Sequence, residues 1–285
     1  MQHKAYIMDE ERSAMILKTS DGTELFYDTY GEKGNSPVVL VHGLGTDHRM
    51  WQPQTSKYPG EGLFLIVPDV RGHGKSSKVK HFRISDCARD LAELIQQMGV
   101  TKVSLIGVSM GGLIVQQFAL DFPDNVDRLV IADSFSAILG LTAKTVAWVA
   151  AIGPRIFPRS LLVKSFGAAY KGEDKSHVRK YFEEVTAKAD LVQLRLARDE
   201  VNRFKVISRL NEIRAPALVL VGDLNPQFFI SMAKTTADGI SGSQFKLLPG
   251  GMDPSNLVVT EVFDTEILTF LKDGSSPEDQ TIKEE

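Results

Sequence analysis

The 285-residue sequence is poor in cysteine and histidine and has no long apolar run. Its single cysteine, Cys87, excludes an internal disulfide and fits a reducing compartment. The longest apolar stretch, residues 137–152, is interrupted by Lys144 and is too short to span a bilayer. The first residues lack the apolar segment of a secretory leader. We therefore expect a cytoplasmic protein without a membrane span.

The charge balance argues against a nucleic-acid partner. The formal net charge is −3, and no basic stripe is interleaved with aromatic side chains. At 43% hydrophobic content, the chain can bury a large core. These numbers favour a globular protein that acts on a small molecule.

Strand and helix patterns alternate through the first half of the chain. The predicted strands are residues 14–19, 24–29, 37–42, 63–68, 102–108 and 128–132, followed much later by 216–222 and 244–248. Most are continuous apolar runs, which is typical of parallel strands buried on both faces. Residues 84–98 predict an amphipathic helix with Ser85 as N-cap and Gly99 as terminator. This alternation predicts an α/β protein with a mostly parallel sheet and helices on both faces.

The alternation stops near Ser136. Helical periodicity without strand runs continues to about Lys205, after which a buried strand returns. The helical block is therefore predicted to be an insertion between two strands of one sheet. We predict an α/β core of residues 1–135 and 206–271, a helical cap of residues 136–205 and a disordered acidic tail of residues 272–285.

The pentapeptide Gly107-Val108-Ser109-Met110-Gly111 lies between an apolar strand pattern and a helix pattern. In that context a G-x-S-x-G sequence predicts a nucleophile elbow, a sharp turn that holds the serine in a strained backbone conformation. Glycines on either side let the helix pass close to the strand. Ser109 is thus the candidate nucleophile.

Two further segments carry a resemblance. Val41-His42-Gly43-Leu44-Gly45 and Pro68-Asp69-Val70-Arg71-Gly72-His73-Gly74-Lys75-Ser76 resemble the HG-x-G loop and the P-D-x-R-G-x-G-x-S segment of the α/β-hydrolase superfamily, in its small cap-bearing branch of esterases, lactonases and C–C bond hydrolases. The resemblance implies an oxyanion hole made by the backbone N–H groups of Leu44 and Met110. His42 and His73 resemble histidines that have structural roles in that family.

The sequence departs from the family at the two positions that handle the proton. Where the family has its histidine base, after the last strand, this chain has Asp253; where it has the acid, it has Asn225. The only histidine after the elbow is His177, in a charged run that favours a solvated surface position. Asp133 ends a predicted strand where some α/β hydrolases place their acid, although an N-cap of the first cap helix is the favoured interpretation. Asp253 could act as a base directly if burial raised its pKa, with Asn225 orienting it.

The cap contributes aromatic and basic residues. Trp148, Phe157 and Phe166 are candidates for lining an apolar substrate pocket, although helix packing explains them as well. The basic residues predict a solvated face, with an anionic substrate or a membrane surface as alternatives; they are Arg155, Arg159, Lys164, Lys171, Lys175, Arg179 and Lys180.

Two hypotheses follow. In the first, the chain is a serine hydrolase of a carboxylic ester or lactone with Ser109 as nucleophile and the non-standard pair Asp253 and Asn225. In the second, it is a catalytically inactive hydrolase fold that binds a small apolar ligand. Both hypotheses predict that the partner is a small, apolar, ester-like molecule. Under both, no cofactor and no metal ion is expected. The oligomeric state does not follow from the sequence.

Overall fold

A computed structural model describes residues 15–272, with the side chain of Phe166 left out. Its centre is one eight-stranded sheet with the strand order β1-β2-β4-β3-β5-β6-β7-β8. The strands are β1 Met15–Lys18, β2 Glu24–Tyr30, β3 Ser36–Val41, β4 Leu63–Pro68, β5 Val103–Val108, β6 Val126–Ala132, β7 Ala217–Gly222 and β8 Gln244–Leu248. The pairs β1–β2 and β2–β4 are antiparallel and all other pairs are parallel. The predicted α/β class with a mostly parallel sheet is confirmed.

The central strands are buried because helices cover both faces of the sheet. Every residue of β4, β5 and β7 is buried, as their continuous apolar sequences predict. Alternate side chains enter two separate hydrophobic clusters, one on each face; Leu105 belongs to one and Ile106 to the other. The parallel strands therefore end together at one edge of the sheet, where the loops carry the candidate site.

The helices are α1 Gln52–Lys57, α2 Ile84–Gln97, α3 Met110–Asp121, α4 Leu141–Ile156, α5 Arg159–Ala168, α6 Ser176–Lys188, α7 Leu191–Arg203, α8 Gln227–Gly239, α9 Ser255–Val258 and α10 Thr260–Lys272. Helices α4 to α7, called the cap below, lie between β6 and β7, where the sequence predicts the insertion. The division into a core and a cap domain stays a prediction. Apart from Lys272, the predicted tail lies outside the described residues.

One local prediction is wrong. Arg83, in extended conformation, precedes α2 as its N-cap, and Ser85 lies inside the first turn. The sequence pattern therefore placed the N-cap two residues late, although the predicted first residue, Ile84, is where the helix begins. The helix does end as predicted, since Gly99 follows it with a φ of 73°. Within residues 15–272, no helix is long and apolar enough to cross a membrane.

Candidate active site

Ser109 stands at a sharp turn between β5 and α3. Its φ of 56° and ψ of −117° lie in a region that residues with side chains rarely adopt. A Cβ on Gly107 would lie 2.2 Å from the carbonyl oxygen of Gly111, and one on Gly111 would lie 2.1 Å from that of Val41. Glycine at both positions is therefore required for the helix to pass the strands this closely. The turn leaves Ser109 partly exposed, as a nucleophile must be.

Two backbone N–H groups are free beside the serine. Gly43 approaches so closely that a Cβ on it would lie 3.4 Å from the Cβ of Ser109, which brings the loop with Leu44 to the nucleophile. Met110 is the first residue of α3, so its N–H points out of the helix N-terminus. Neither Leu44 nor Met110 has an acceptor for its amide among residues 15–272. The arrangement suits the stabilisation of negative charge on an oxygen atom.

Asp253 lies in the loop that follows β8, and its carboxyl group is close enough to the Ser109 hydroxyl for that hydroxyl to lower its pKa. Its backbone is held from two sides: the Tyr170 hydroxyl donates to its carbonyl oxygen (2.8 Å), and its own N–H donates to Oδ1 of Asn225 (3.2 Å). Burial and the negative charge of Asp133 raise the pKa of Asp253 to about 8. The nearby Ser109 hydroxyl and the charge of Arg198 lower this pKa.

Asp133 is a second buried carboxylate behind Asp253. It follows β6 with a φ of 45°, and it is not the helix N-cap that the sequence favours, because α4 begins only at Leu141. Its Oδ1 accepts hydrogen bonds from the N–H of Gly222 (3.0 Å) and from Nδ2 of Asn225 (3.1 Å), and its Oδ2 accepts from the N–H of Ser255 (2.7 Å). Burial nevertheless raises its pKa.

The two carboxyl groups differ in the donors that they receive. Three N–H groups stabilise the charged form of Asp133, whereas residues 15–272 offer the Asp253 carboxyl group only the nearby Ser109 hydroxyl and a longer-range attraction to Arg198. We therefore assign the negative charge at neutral pH to Asp133 and the proton to Asp253. Asn225 lies between them, but it bonds the carboxylate of Asp133 and only the backbone of Asp253. The sequence predicts that Asn225 orients the base; its amide instead fixes the loop that carries the base.

Arg198 is a site residue that sequence reasoning missed. It lies on the cap helix α7, and its charge lowers the pKa of Asp253. Burial in turn lowers the pKa of the Arg198 guanidinium. Nothing in the sequence distinguishes Arg198 from the other basic residues of the cap, because its effect on Asp253 depends on the folded structure.

None of the histidines discussed above replaces the missing base. His177 is exposed, and its Nε2 lies 3.1 Å from the carbonyl oxygen of Leu257. The buried His42 donates from Nδ1 to the carbonyl of Gly43 (2.8 Å) and accepts at Nε2 from the N–H of Val70 (2.9 Å), which is a structural role. Burial lowers the pKa of His73 to about 4, and its Nδ1 donates to the Arg71 carbonyl oxygen.

Two of the cap aromatics predicted to line a substrate pocket are exposed to solvent. Trp148 is 64% exposed and Phe157 is 46% exposed, so the structure gives no support to their predicted role as a pocket lining. The side chain of Phe166 lies outside the described part. A cleft of about 810 Å³ between cap and core borders the oxyanion loop at Gly45 and is lined by Leu194 from α7, but Ser109 does not line it.

The comparisons with known proteins concern the family and the fold. The α/β hydrolase fold family matches residues 36–155. The "Putative carbamate hydrolase RutD" of Variovorax paradoxus is 27% identical over 260 residues, 89% of this chain and 98% of that protein. The 3-oxoadipate enol-lactonase 2 of Acinetobacter baylyi is 32% identical over 121 residues, 42% of this chain and 45% of that protein.

Solved structures share the whole fold. An esterase from Exiguobacterium antarcticum superposes with a TM-score of 0.83 at 22% identity, covering 91% of this chain and all of that one. The enol-lactonase from Burkholderia xenovorans gives 0.80 at 23% identity, covering 90% and 99%. The sheet order, the elbow at Ser109 and these matches together show that the chain has the α/β-hydrolase fold and is similar to the esterases and enol-lactonases that share it.

Proposed function

We propose that this α/β hydrolase cleaves carboxylic esters or lactones, with Ser109 as the nucleophile and Asp253 as the base. The proximity of the Ser109 hydroxyl to the Asp253 carboxyl group, which lowers the pKa of that carboxyl group, carries the proposal. A serine hydroxyl is a poor nucleophile until a positioned group takes its proton, and Asp253 is the titratable side chain in contact with it. The relatives named as enol-lactonases and esterases support the substrate class.

The reaction proceeds in two balanced halves. Ionised Asp253 removes the proton from Ser109 as Oγ bonds to the acyl carbon, and the amides of Leu44 and Met110 hold the resulting oxyanion. The tetrahedral intermediate collapses, the bond to the leaving oxygen breaks, and that oxygen takes the proton from Asp253. Water then attacks the acyl-enzyme and gives its proton to Asp253, and release of the acid returns the proton to Ser109. The same carboxylate therefore serves as base and acid in both halves.

The raised pKa of Asp253 makes a carboxylate a workable base. An ordinary aspartate is weaker than imidazole by about 2.6 pKa units, roughly 3.5 kcal/mol in proton affinity. A pKa of about 8 removes that deficit. The consequence is a pH dependence: only the ionised form accepts a proton, so hydrolysis should increase through pH 8 rather than through the range of a free carboxylate.

A binding protein is the second candidate. It is favoured by the same pKa, because at neutral pH most Asp253 side chains hold a proton and leave Ser109 without a base. Such a protein would retain the oxyanion loop and elbow as part of a ligand pocket and would turn over esters only at the slow rate of the oxyanion hole alone.

Labelling with a fluorophosphonate, followed by intact-mass measurement, separates the two candidates. We expect stoichiometric modification that is slow at pH 6, faster at pH 9 and absent in Ser109→Ala. Ser134→Ala is a matched control, because Ser134 lies nearby and donates its hydroxyl to the carbonyl oxygen of Ser109. A native protein that stays unlabelled at pH 9 would contradict the hydrolase proposal. A labelled protein should then be tested on p-nitrophenyl acetate and on simple five-membered lactones.

A further inference from the structure

The outer side of the cap carries an exposed apolar stripe. Leu141, Trp148, Val149 and Ile156 lie on α4 at positions i, i+7, i+8 and i+15, which share one face of a helix. Leu141 is 82% exposed, and the other three are exposed by more than half. Phe157 and Leu161 extend the surface beyond the helix end, and together these six residues are called the apolar cap face. A helix on a protein surface in water normally turns such a stripe inward.

The chain segment that forms this face carries charge of one sign. Residues 134–172 contain no aspartate or glutamate and five basic residues, Lys144, Arg155, Arg159, Lys164 and Lys171. Arg155 reaches Asp199 on α7 at 2.6 Å. Lys144 and Lys164 make no ion pair with any residue in the described range 15–272. The apolar cap face is thus bordered by two cations, Lys144 and Lys164, that have no acidic partner within residues 15–272.

A cleft of about 490 Å³ opens beside Trp148. Its walls include the apolar side chains of Leu139, Ala147 and Ala151. The cations at this cleft are Lys144, Arg203 and Lys205, and no acidic side chain lines it. A cleft of this composition fits a ligand with an apolar chain and an anionic head.

We propose that the apolar cap face docks on a membrane surface that contains anionic lipids. Apolar side chains with a tryptophan on one side and lysine or arginine at the border are the features that let a helix lie in the lipid interface. Anionic lipids attract each nearby cation by about 1 kcal/mol. A second copy of the chain fits poorly, because two faces that both carry cations and no acids would repel each other. With its 16 residues, α4 would lie in the interface and not cross it.

Co-sedimentation with lipid vesicles tests the charge requirement. We expect the full chain to bind vesicles of phosphatidylcholine and phosphatidylglycerol and to bind vesicles of phosphatidylcholine alone at least about ten-fold more weakly. The double variant Lys144→Glu with Lys164→Glu should lose about ten-fold or more in its partition coefficient. Lys18→Glu with Lys102→Glu makes the same charge change at exposed positions away from the cap and should bind as the native protein does.

Tryptophan fluorescence tests the orientation. The chain has two tryptophans, of which Trp51 is fully buried, so a blue shift on vesicle addition reports on Trp148. Trp148→Phe should bind while losing the shift, and Trp148→Glu should bind at least about ten-fold more weakly, because a carboxylate enters the interface poorly. Absence of binding to the mixed vesicles, or equal binding by Trp148→Glu, would overturn the proposal. So would a native dimer in sedimentation velocity that Trp148→Glu converts to a monomer, since a second copy would then cover the face.

Discussion

Replacement of Asp253 by asparagine should abolish hydrolysis and at the same time stabilise the protein. The amide keeps the size of the side chain and its capacity to bond Ser109, but it cannot take a proton. General-base catalysis contributes about 10²–10⁴-fold, so turnover of p-nitrophenyl acetate at pH 9 should fall by at least about 100-fold. The loss concerns the base alone, because the oxyanion amides and the elbow are unchanged.

The gain in stability follows from the same pKa. A carboxyl group with a pKa of about 8 in the folded protein and 3.8 in the unfolded chain disfavours folding at high pH, by on the order of 5 kcal/mol if nothing relaxes. Below pH 4 both states hold the proton and the contribution vanishes. Between pH 4 and 8 only the unfolded chain releases it, so the native protein loses stability as the pH rises; above pH 8 the loss is constant. The amide has no such dependence.

We therefore expect Asp253→Asn to unfold at a higher temperature than the native protein, with a difference that is small at pH 4 and largest at pH 8 and above. We expect the variant to recover about 1–3 kcal/mol in the free energy of unfolding, and each kcal/mol raises Tm by about 2–4 °C. Calorimetry at pH 4.5, 6.5 and 8.5 measures it. Asp124→Asn, at an exposed position, is the control that should show no such trend. A difference in Tm that does not grow with pH would refute the assignment of the proton to Asp253.

Three further changes test the site and the turn. Asp253→His alone should increase kcat/KM on p-nitrophenyl acetate at pH 7 by 10- to 100-fold, roughly 1.4–2.7 kcal/mol in the barrier. The reason is that the Asp133 carboxylate, which follows β6, is already placed to orient an imidazole. Adding Asn225→Asp should therefore bring no further gain. No rise in a folded variant would contradict that placement. Arg198→Met should move the pH–rate profile of the native enzyme to higher pH, because a charge that lowers the pKa of the base is removed; an unmoved profile would exclude Arg198 from the site. Gly111→Ala should destabilise the fold by about 1–3 kcal/mol or more in urea unfolding, whereas Gly34→Ala, with nothing within 4 Å, should not; equal effects would refute the close approach.

The parts of the fold that the sequence predicted are those with local causes. Strands β4 and β7 are continuous apolar runs, and the elbow at Ser109 is specified by five consecutive residues between a strand and a helix. Such features depend on neighbours along the chain, which a single sequence displays. The position of Asp253 after the last strand was inferred in the same way, from a short motif.

Long-range contacts could not be inferred. The role of Asp133 depends on donors at Gly222 and Ser255, which lie 89 and 122 residues away, whereas its local sequence is typical of an N-cap. The stripe on α4 shows a similar limit. Helical periodicity indicates that Leu141 and Trp148 share a face, but not whether that face meets the core or the solvent.

The burial of Asp133 has a consequence for the way mutations here should be interpreted. Its carboxylate accepts hydrogen bonds from N–H groups at the end of β7, in the loop that follows β7 and at the start of α9. It therefore connects three segments, all of which are distant from it in sequence. These hydrogen bonds hold the three segments in fixed positions relative to one another without a bound substrate. A variant that lacks this carboxylate loses the hydrogen bonds that connect the three segments as well as the negative charge. An aspartate at this position therefore indicates that the fold around the site is retained, whether or not the protein is catalytically active.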